Sequence, residues 1–355
     1  MKKLLLTLFI VLTLLSLCAC KDNADTPQEI ADVPNIDHNI LDADRHLGNS
    51  FENYSSEDTL LVEYGNRIYH AYNSRHEIME YCTANDKETP LGIYGTNLSV
   101  YKNVLYYIGE DGTSIHAYDL ATCTDSVWIT GEEVDTLLPE PTYQYPRISD
   151  LIVTDYGMCM LYGSTDMFFV HLNYDKSLVY SIFACDAGIA ELIPTSNTLI
   201  AITQGYPHAL CSYDINAENY EVIDFEQLPF HTISTGNNSF LYYNLNDENF
   251  YQYDILSKES SSLYVPTPNP YENAFYIYND IMFYSNLNYI EEQITFWRFS
   301  INKKVLTQID IDSMIYCLSF ASNDTVYGIA YNPFSNKETK FFRADLDFKS
   351  ITYLD

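Results

Sequence analysis

His76-Glu77 begins the pattern of a zinc-binding helix, in which a second histidine four residues after the first completes the ligand pair; Glu80 stands at that place, so no zinc site is expected there. Ser300-Ile301-Asn302-Lys303 has the spacing of a serine nucleophile one helical turn before a lysine base, but the surrounding residues put it on a hairpin turn, and no S-D-N or K-T-G stretch accompanies it. Asp42 and Asp44 do not continue into a calcium loop, and Glu110-Asp111-Gly112 has the chemistry of a hairpin turn. The eight histidines are scattered, and Cys82, Cys123, Cys159, Cys185, Cys211 and Cys317 form no C-x-x-C pair. The 49 acidic residues could place two carboxylates in a central pocket, as glycoside hydrolysis needs, yet spacing alone does not single out a pair. No catalytic residue, metal ligand or cofactor is therefore assigned. The expected role is binding or scaffolding, with a hydrolase or lyase acting on polysaccharide as the alternative.

One thiol does stand in a chemical context. Lys2 and Lys3 precede a mainly apolar run from Leu4 to Leu17, followed by Cys18-Ala19-Cys20. The run is shorter than the roughly 20 residues a spanning helix needs and has the make-up of an export signal. It resembles the bacterial lipoprotein lipobox. The resemblance implies that residues 1–19 are a signal peptide and that Cys20, with Ala19 before it and Leu17 at the third position back, is the lipidated start of the mature chain. It also implies a location on the outer face of a bacterial membrane, held there through the lipid.

Residues 20–50 carry Asp22, Asp25, Glu29, Asp32, Asp37, Asp42 and Asp44 with Pro27 and Pro34, and few large apolar side chains. Such a segment buries too little surface to offset its ordering entropy, and reads as an acidic flexible tether. Over the whole chain 18 basic residues face 49 acidic ones, for a net charge of −31. That balance disfavours nucleic acid, whose phosphates are bound by clustered Lys and Arg. The six thiols after Cys20 are too sparse for a disulfide framework; they are expected to be free and largely buried.

Residues 51–355 are expected to form the folded domain. Short runs of Tyr, Phe, Ile, Leu and Val alternate with Asn, Asp, Gly and Ser, and no long stretch keeps a helical period. The clearest copy of a recurring unit is Leu98–Tyr101, Val104–Ile108, Ile115–Asp119 and Val127–Ile129. A second is Ser239–Tyr243, Phe250–Asp254 and Leu263–Val265. Asp119, Asn173, Asp214, Asp254, Ser300 and Asp345 follow the third strand in successive copies, preceded by the apolar Tyr118, Leu172, Tyr213, Tyr253, Phe299 and Ala344, with Tyr81 as the first member. A short polar side chain there is expected to bond the backbone two residues on and start the hairpin to the next strand. Units of about 40 to 45 residues, each with four strands, are the signature of an all-β fold, the β-propeller, here expected to have seven blades, with six or eight as the alternatives, and to act as a monomer.

Leu105-Tyr106-Tyr107-Ile108 with Ala117-Tyr118-Asp119-Leu120-Ala121-Thr122 and Trp128 resembles the pyrroloquinoline-quinone-type repeat, and the Leu-Tyr-Tyr run is similar to the YWTD-type repeats of receptor propellers. The resemblance implies the propeller and a place outside the cytoplasm. It implies no cofactor, since Trp128 and Trp297 are the only tryptophans and Tyr-Trp-Thr-Asp itself does not occur.

Tyrosine occurs 33 times. Most are expected to pack between blades, apolar on one side and wet at the tip. Loops from a fourth strand to the next blade, and from second to third strands, share one face of a propeller, and the long insertions fall there: Gly131 to Ile148, Pro266 to Asn273, Asn286 to Glu292 and Asn332 to Thr339. They hold Tyr143, Tyr145, Arg147, Tyr271, Tyr289 and Phe334. Rigid aromatics and a rare cation on loops above a scaffold are the expected contacts for an envelope protein or a glycan.

Overall fold

Apolar residues at every second position put one face of each short strand into the core, and polar turn-formers end it. The computed structural model describes residues 60 to 354 apart from 72–75, 140–146, 165, 187–189, 196–198, 205–208, 224–229, 236–237, 245–246, 264, 266–274, 279, 289, 312, 322–324 and 335–338. All of them lie in the unit Leu41–Asp355.

The strands form six antiparallel groups, each paired in chain order. The first joins β1 (Leu61–Tyr64), β2 (Arg67–His70), β3 (Glu77–Cys82), β4 (Lys87–Tyr101), β5 (Val104–Gly109), β6 (Ser114–Asp119) and β7 (Thr124–Thr130). A short helix follows, α1 (Gly131–Leu137). The second group is β8 (Arg147–Thr154), β9 (Gly157–Gly163), β10 (Asp166–Leu172) and β11 (Leu178–Asp186). The third is β12 (Ala190–Pro194), β13 (Leu199–Gln204), β14 (Ala209–Asp214) and β15 (Asn219–Ile223). The fourth is β16 (Phe230–Ser234), β17 (Ser239–Asn244), β18 (Asn249–Asp254) and β19 (Glu259–Ser262). The fifth is β20 (Phe275–Tyr278), β21 (Ile281–Asn288), β22 (Gln293–Ser300) and β23 (Val305–Ile309). The sixth is β24 (Met314–Ala321), β25 (Thr325–Tyr331), β26 (Lys340–Asp345) and β27 (Ile351–Tyr353).

The seven-stranded group exists because β4 is 15 residues long and serves two ladders. Its first part pairs with β3 from Lys87 to Tyr94, and its second with β5 from Gly95 to Tyr101. Two glycines make the passage. Gly92 holds a left-handed φ of +69°, and a Cβ at Gly95 would lie 2.2 Å from the Ile108 carbonyl oxygen, so no other residue fits.

Of the turn-formers, Asp119 meets the expected bond two residues on, four others reach three or four residues on, and Asn173 Nδ2 instead donates to Ser177 Oγ at 3.1 Å. Asp119 Oδ1 accepts from the N–H groups of Ala121 and Thr122 at 2.8 and 2.9 Å, Asp214 from Ala217, Asp254 from Ser257, Ser300 from Lys303 and Asp345 from Lys349. Each of these turns then closes on a left-handed residue: Cys123, Glu218, Lys258, Lys304 and Phe348. The preceding Tyr81, Tyr118, Leu172, Tyr213, Tyr253, Phe299 and Ala344 are all buried. Two expectations are corrected. Leu263–Val265 is not the last strand of its unit, because β19 is the polar Glu259–Ser262, placed by the Asp254 turn; Leu263 follows it into the core. The Gly131–Ile148 insertion is not all loop: Thr130 and Glu133 form a capping box that starts α1.

First strands of successive groups, with β4 inside the first group, lie side by side around a ring, β4 against β1 and β8, β8 against β12, β12 against β16 and β16 against β20, and β24 lies against β1 and against β21, the second strand of the fifth group. Polar staples cross between neighbours. Asp150 on β8 accepts from Leu192 N–H of β12 at 2.9 Å, Thr232 on β16 donates to Glu191 on β12 at 2.8 Å, Ser234 donates to the Pro194 carbonyl, and Ile315 N–H donates to Ser285 Oγ at 3.3 Å. Among the described residues, no strand is exchanged where β1–β4 meets β24–β27. The joint is a core of side chains, with Leu61, Ile68 and Tyr81 packed against Tyr327, Ile329 and Phe341. His70 stacks on Phe341 with centroids 4.1 Å apart, and Arg343 Nη1 reaches Asp86 Oδ1 at 2.7 Å.

Phe341→Ala should therefore lower stability by about 3–5 kcal/mol, read as the urea midpoint of one cooperative transition, because it opens a cavity at the joint. Arg343→Ala, which removes an exposed pair, should cost less than about 1 kcal/mol. Equal effects would contradict closure by apolar packing. His70 supplies a pH dependence. Burial holds its ring below the ordinary histidine value, against the pull of Glu88 with Oε1 3.0 Å from Nε2. As pH falls, the unfolded chain takes up that proton first, so stability is full above the ordinary value and is lost as pH drops through it. Urea midpoints measured from about pH 7.5 to about pH 5.5 should fall less in His70→Gln than in the wild type.

Candidate functional site

Ser114 and His116 stand two residues apart on β6 and so share one face. Tyr107 of β5 is the register partner of His116, and its ring stacks on the imidazole at 5.0 Å with 24° between planes. Across the sheet a register shift after Ile115 sets His116 opposite Val127, which brings Asp125 of β7 to the diagonal position. Four side chains then join in one chain of hydrogen bonds. Tyr107 OH donates to Asp125 Oδ1 at 2.9 Å, His116 Nδ1 lies 2.9 Å from Asp125 Oδ2, and His116 Nε2 lies 3.1 Å from Ser114 Oγ. A carboxylate only accepts, so Nδ1 carries the hydrogen; in the neutral ring Nε2 then accepts from the serine hydroxyl. Burial, and next the bond to Asp125, raise the Tyr107 phenol far above its ordinary pKa and keep it a donor.

The β5–β6 turn forms the rim. Asp111 takes the Thr113 hydroxyl on Oδ2 at 2.6 Å and the Thr113 N–H on Oδ1 at 2.9 Å, and these bonds hold its carboxyl below the usual range. Gly112 N–H donates to the Gly109 carbonyl at 2.8 Å. The turn is braced from behind: Gly131 N–H of α1 donates to the Thr113 carbonyl at 2.6 Å, and Tyr162 OH donates to the Gly131 carbonyl at 2.7 Å. Gly109 leaves the hydrogen-bond chain uncovered, since a Cβ there would lie 3.0 Å from His116 Nε2 and 3.1 Å from Ser114 Oγ.

Together with the Gly92-Ile93-Tyr94 passage of β4, Tyr107, Gly109, Asp111, Ser114, His116 and Asp125 line an open pocket of about 590 Å³ that also holds Glu110, with Tyr94 37% exposed at its wall. The lining has three carboxylates, one imidazole and two phenols, and neither Lys nor Arg. It suits a small ligand rich in hydroxyl or ammonium donors and disfavours an anion.

Arg147, exposed at the start of β8, runs beside this rim: a Cβ on Gly112 would lie 3.7 Å from its Cδ, and the next residue, Ile148, donates its N–H to the Gly112 carbonyl at 2.8 Å. Phe334 is half-buried in another sheet's turn, its N–H on Asn332 Oδ1 at 3.0 Å. Tyr143, Tyr145, Tyr271, Tyr289 and Cys20 lie outside the described residues. His76 precedes a strand and not a helix, and Ser300 is spent on its own turn and on Asp280. Among the described residues, no group of three or more His, Cys, Asp and Glu is placed to hold a metal ion. Sequence reasoning missed Ser114, His116, Asp125, Tyr107 and Tyr94. The available signal was Ser-x-His alternating on one strand, with Asp just past the following turn.

No protein-family model and no curated protein matches the chain. Solved structures do. The β-propeller domain of the Trilobed protease from Pyrococcus furiosus, described with an open velcro topology, is similar at a TM-score of 0.55 and 10% identity over 85% of this chain and 96% of that one. The fold is a β-propeller. Acylaminoacyl peptidase of Pyrococcus horikoshii is similar at a TM-score of 0.57 and 9% identity, over 86% of this chain and 53% of that one. The dihydro-heme d1 dehydrogenase NirN gives 0.53 and 12% identity, with 81% and 63% covered. At these identities the likeness is one of fold, and the propeller spans about half the length of the peptidase.

Proposed function

We propose that the chain is a lipid-anchored, extracytoplasmic propeller of seven four-stranded blades that binds a saccharide of the cell envelope in the Tyr94–Asp125 pocket. The observation that carries this is the lining itself. An exposed tyrosine ring offers a flat apolar surface for a sugar face, while Glu110, Asp111, Asp125, His116 and Ser114 offer partners for its hydroxyl groups. The volume of about 590 Å³ falls in the range of small-ligand sites and is far from the extended surface of a standard protein interface. Seven blades follow when β4 is divided at Gly95, its first part completing one four-stranded sheet and its second opening the next. The lipid reading rests on Leu17, Ala19 and Cys20, and the acidic segment 20–50 would hold the ring away from the bilayer.

A polysaccharide hydrolase or lyase would need two inward carboxylates free to act. Asp150 and Glu191 stand on the first strands of adjacent groups, but Asp150 is buried, with Leu151 N–H on one oxygen at 3.0 Å and Leu192 N–H on the other at 2.9 Å. That is the bonding of a staple between sheets.

Tyr94→Ala should weaken binding of an envelope oligosaccharide about 30-fold by calorimetry, the size of an aromatic anchor, without moving the melting temperature. Full affinity in that variant would remove the pocket as the site. Cys20→Ser should release the protein from membranes or leave it unprocessed; unchanged lipid labelling would contradict the anchor assignment.

A further inference from the structure

We propose that Ser114 is an acyl-transfer nucleophile and that the pocket removes ester-linked acyl groups from the saccharide it binds, an activity that rests on the saccharide reading for its substrate class. The hydrogen bonds run in the order such chemistry requires. Ser114 Oγ meets His116 Nε2 at 3.1 Å, and His116 Nδ1 meets Asp125 Oδ2 at 2.9 Å. The base thus has its free nitrogen on the hydroxyl and its N–H on an orienting carboxylate. Two further contacts hold the constellation rigid: the Tyr107 ring stacks on the imidazole, and its hydroxyl occupies the other Asp125 oxygen, which keeps the carboxylate from turning. Access is built in as well. Any side chain at position 109 would press on both Ser114 Oγ and His116 Nε2, and glycine stands there.

In the first step Ser114 Oγ attacks the ester carbonyl carbon while His116 Nε2 takes the hydroxyl proton. The tetrahedral adduct collapses with cleavage of the bond to the sugar oxygen, which leaves with that proton from His116. In the second step water attacks the acyl-serine, His116 takes a proton from the water and returns it to Ser114, and the carboxylic acid departs. One ester and one water give one acid and one sugar hydroxyl. No oxidant or reductant enters.

The test uses the full chain, with a reporter-tagged fluorophosphonate as the probe of the nucleophile and O-acetylated xylo-oligosaccharide as the substrate. Wild-type protein should take up one label, mapped to Ser114 by peptide mass spectrometry, and should release acetate. Ser114→Ala should abolish labelling and lower acetate release at least about 10³-fold. Asp125→Asn, which keeps the shape but favours the wrong imidazole tautomer, should lower labelling and release at least about 10²-fold while near-ultraviolet dichroism stays unchanged. Absence of label on folded wild-type protein, label on another serine, or acetate release unaffected by Ser114→Ala would each overturn the proposal. The two readings fail separately. Oligosaccharide binding without labelling leaves the binding site and removes the nucleophile, whereas labelling of Ser114 without oligosaccharide binding keeps the nucleophile and removes the saccharide.

Discussion

Among the described residues, side chains hold the first sheet to the last, and closing the ring depends on that joint. A four-stranded sheet with two apolar faces cannot bury both by itself; it needs a neighbour on each side. Arranging the sheets in a circle meets the requirement only if the circle closes. Here each sheet is drawn from consecutive chain, so closure falls to His70, Tyr81, Tyr327 and Phe341, with Leu61, Ile68 and Ile329 around them. These aromatic and aliphatic residues make the joint a piece of ordinary protein core, and the Asp86–Arg343 pair at its surface adds direction more than strength.

The fold was legible because its signals are local. A turn-former bonding the next few N–H groups, with a buried Tyr, Leu, Phe or Ala just before it, recurs along the chain and needs no distant partner to be recognised. The tyrosine excess was legible in part: Tyr69, Tyr81, Tyr107, Tyr162, Tyr213, Tyr242, Tyr243, Tyr276 and Tyr284 are fully buried. The site was legible only in part. The β5–β6 turn, readable as a hairpin, bounds the pocket, and Arg147 lies beside its rim. The other lining residues gave no such signal, because the hydrogen-bond chain stands on regular strands and not on long loops. Asp125 reaches His116 only through the register shift after Ile115, which no single-strand pattern announces. Leu263 shows the converse limit: a strongly apolar residue was expected in a strand, but the turn geometry had already assigned the ladder to the polar Glu259–Ser262.

Buried polar groups in this ring fall into two kinds. Asp150, Ser234 and Ser285 each satisfy a backbone group of the neighbouring sheet, and so exchange a desolvation cost for a fixed angle between sheets. Tyr107, Asp125, His116 and Ser114 bond to one another within a single sheet and face a pocket. Their hydrogen bonds stay within a single sheet, and the fourfold connection is the arrangement expected of groups kept in place for a ligand.

The unbroken β4 gives the ring joints of unequal stiffness. Two ladders share its 15 residues, so the sheets on either side of Gly95 cannot rock apart without bending a backbone already committed to both. Among the described residues the joint between β1 and β24 has no such shared strand, so it is where the ring opens at least cost in backbone pairing. Tyr94 and Tyr107 ride on the continuous joint at the other side of the first sheet, which sets the pocket apart from that opening.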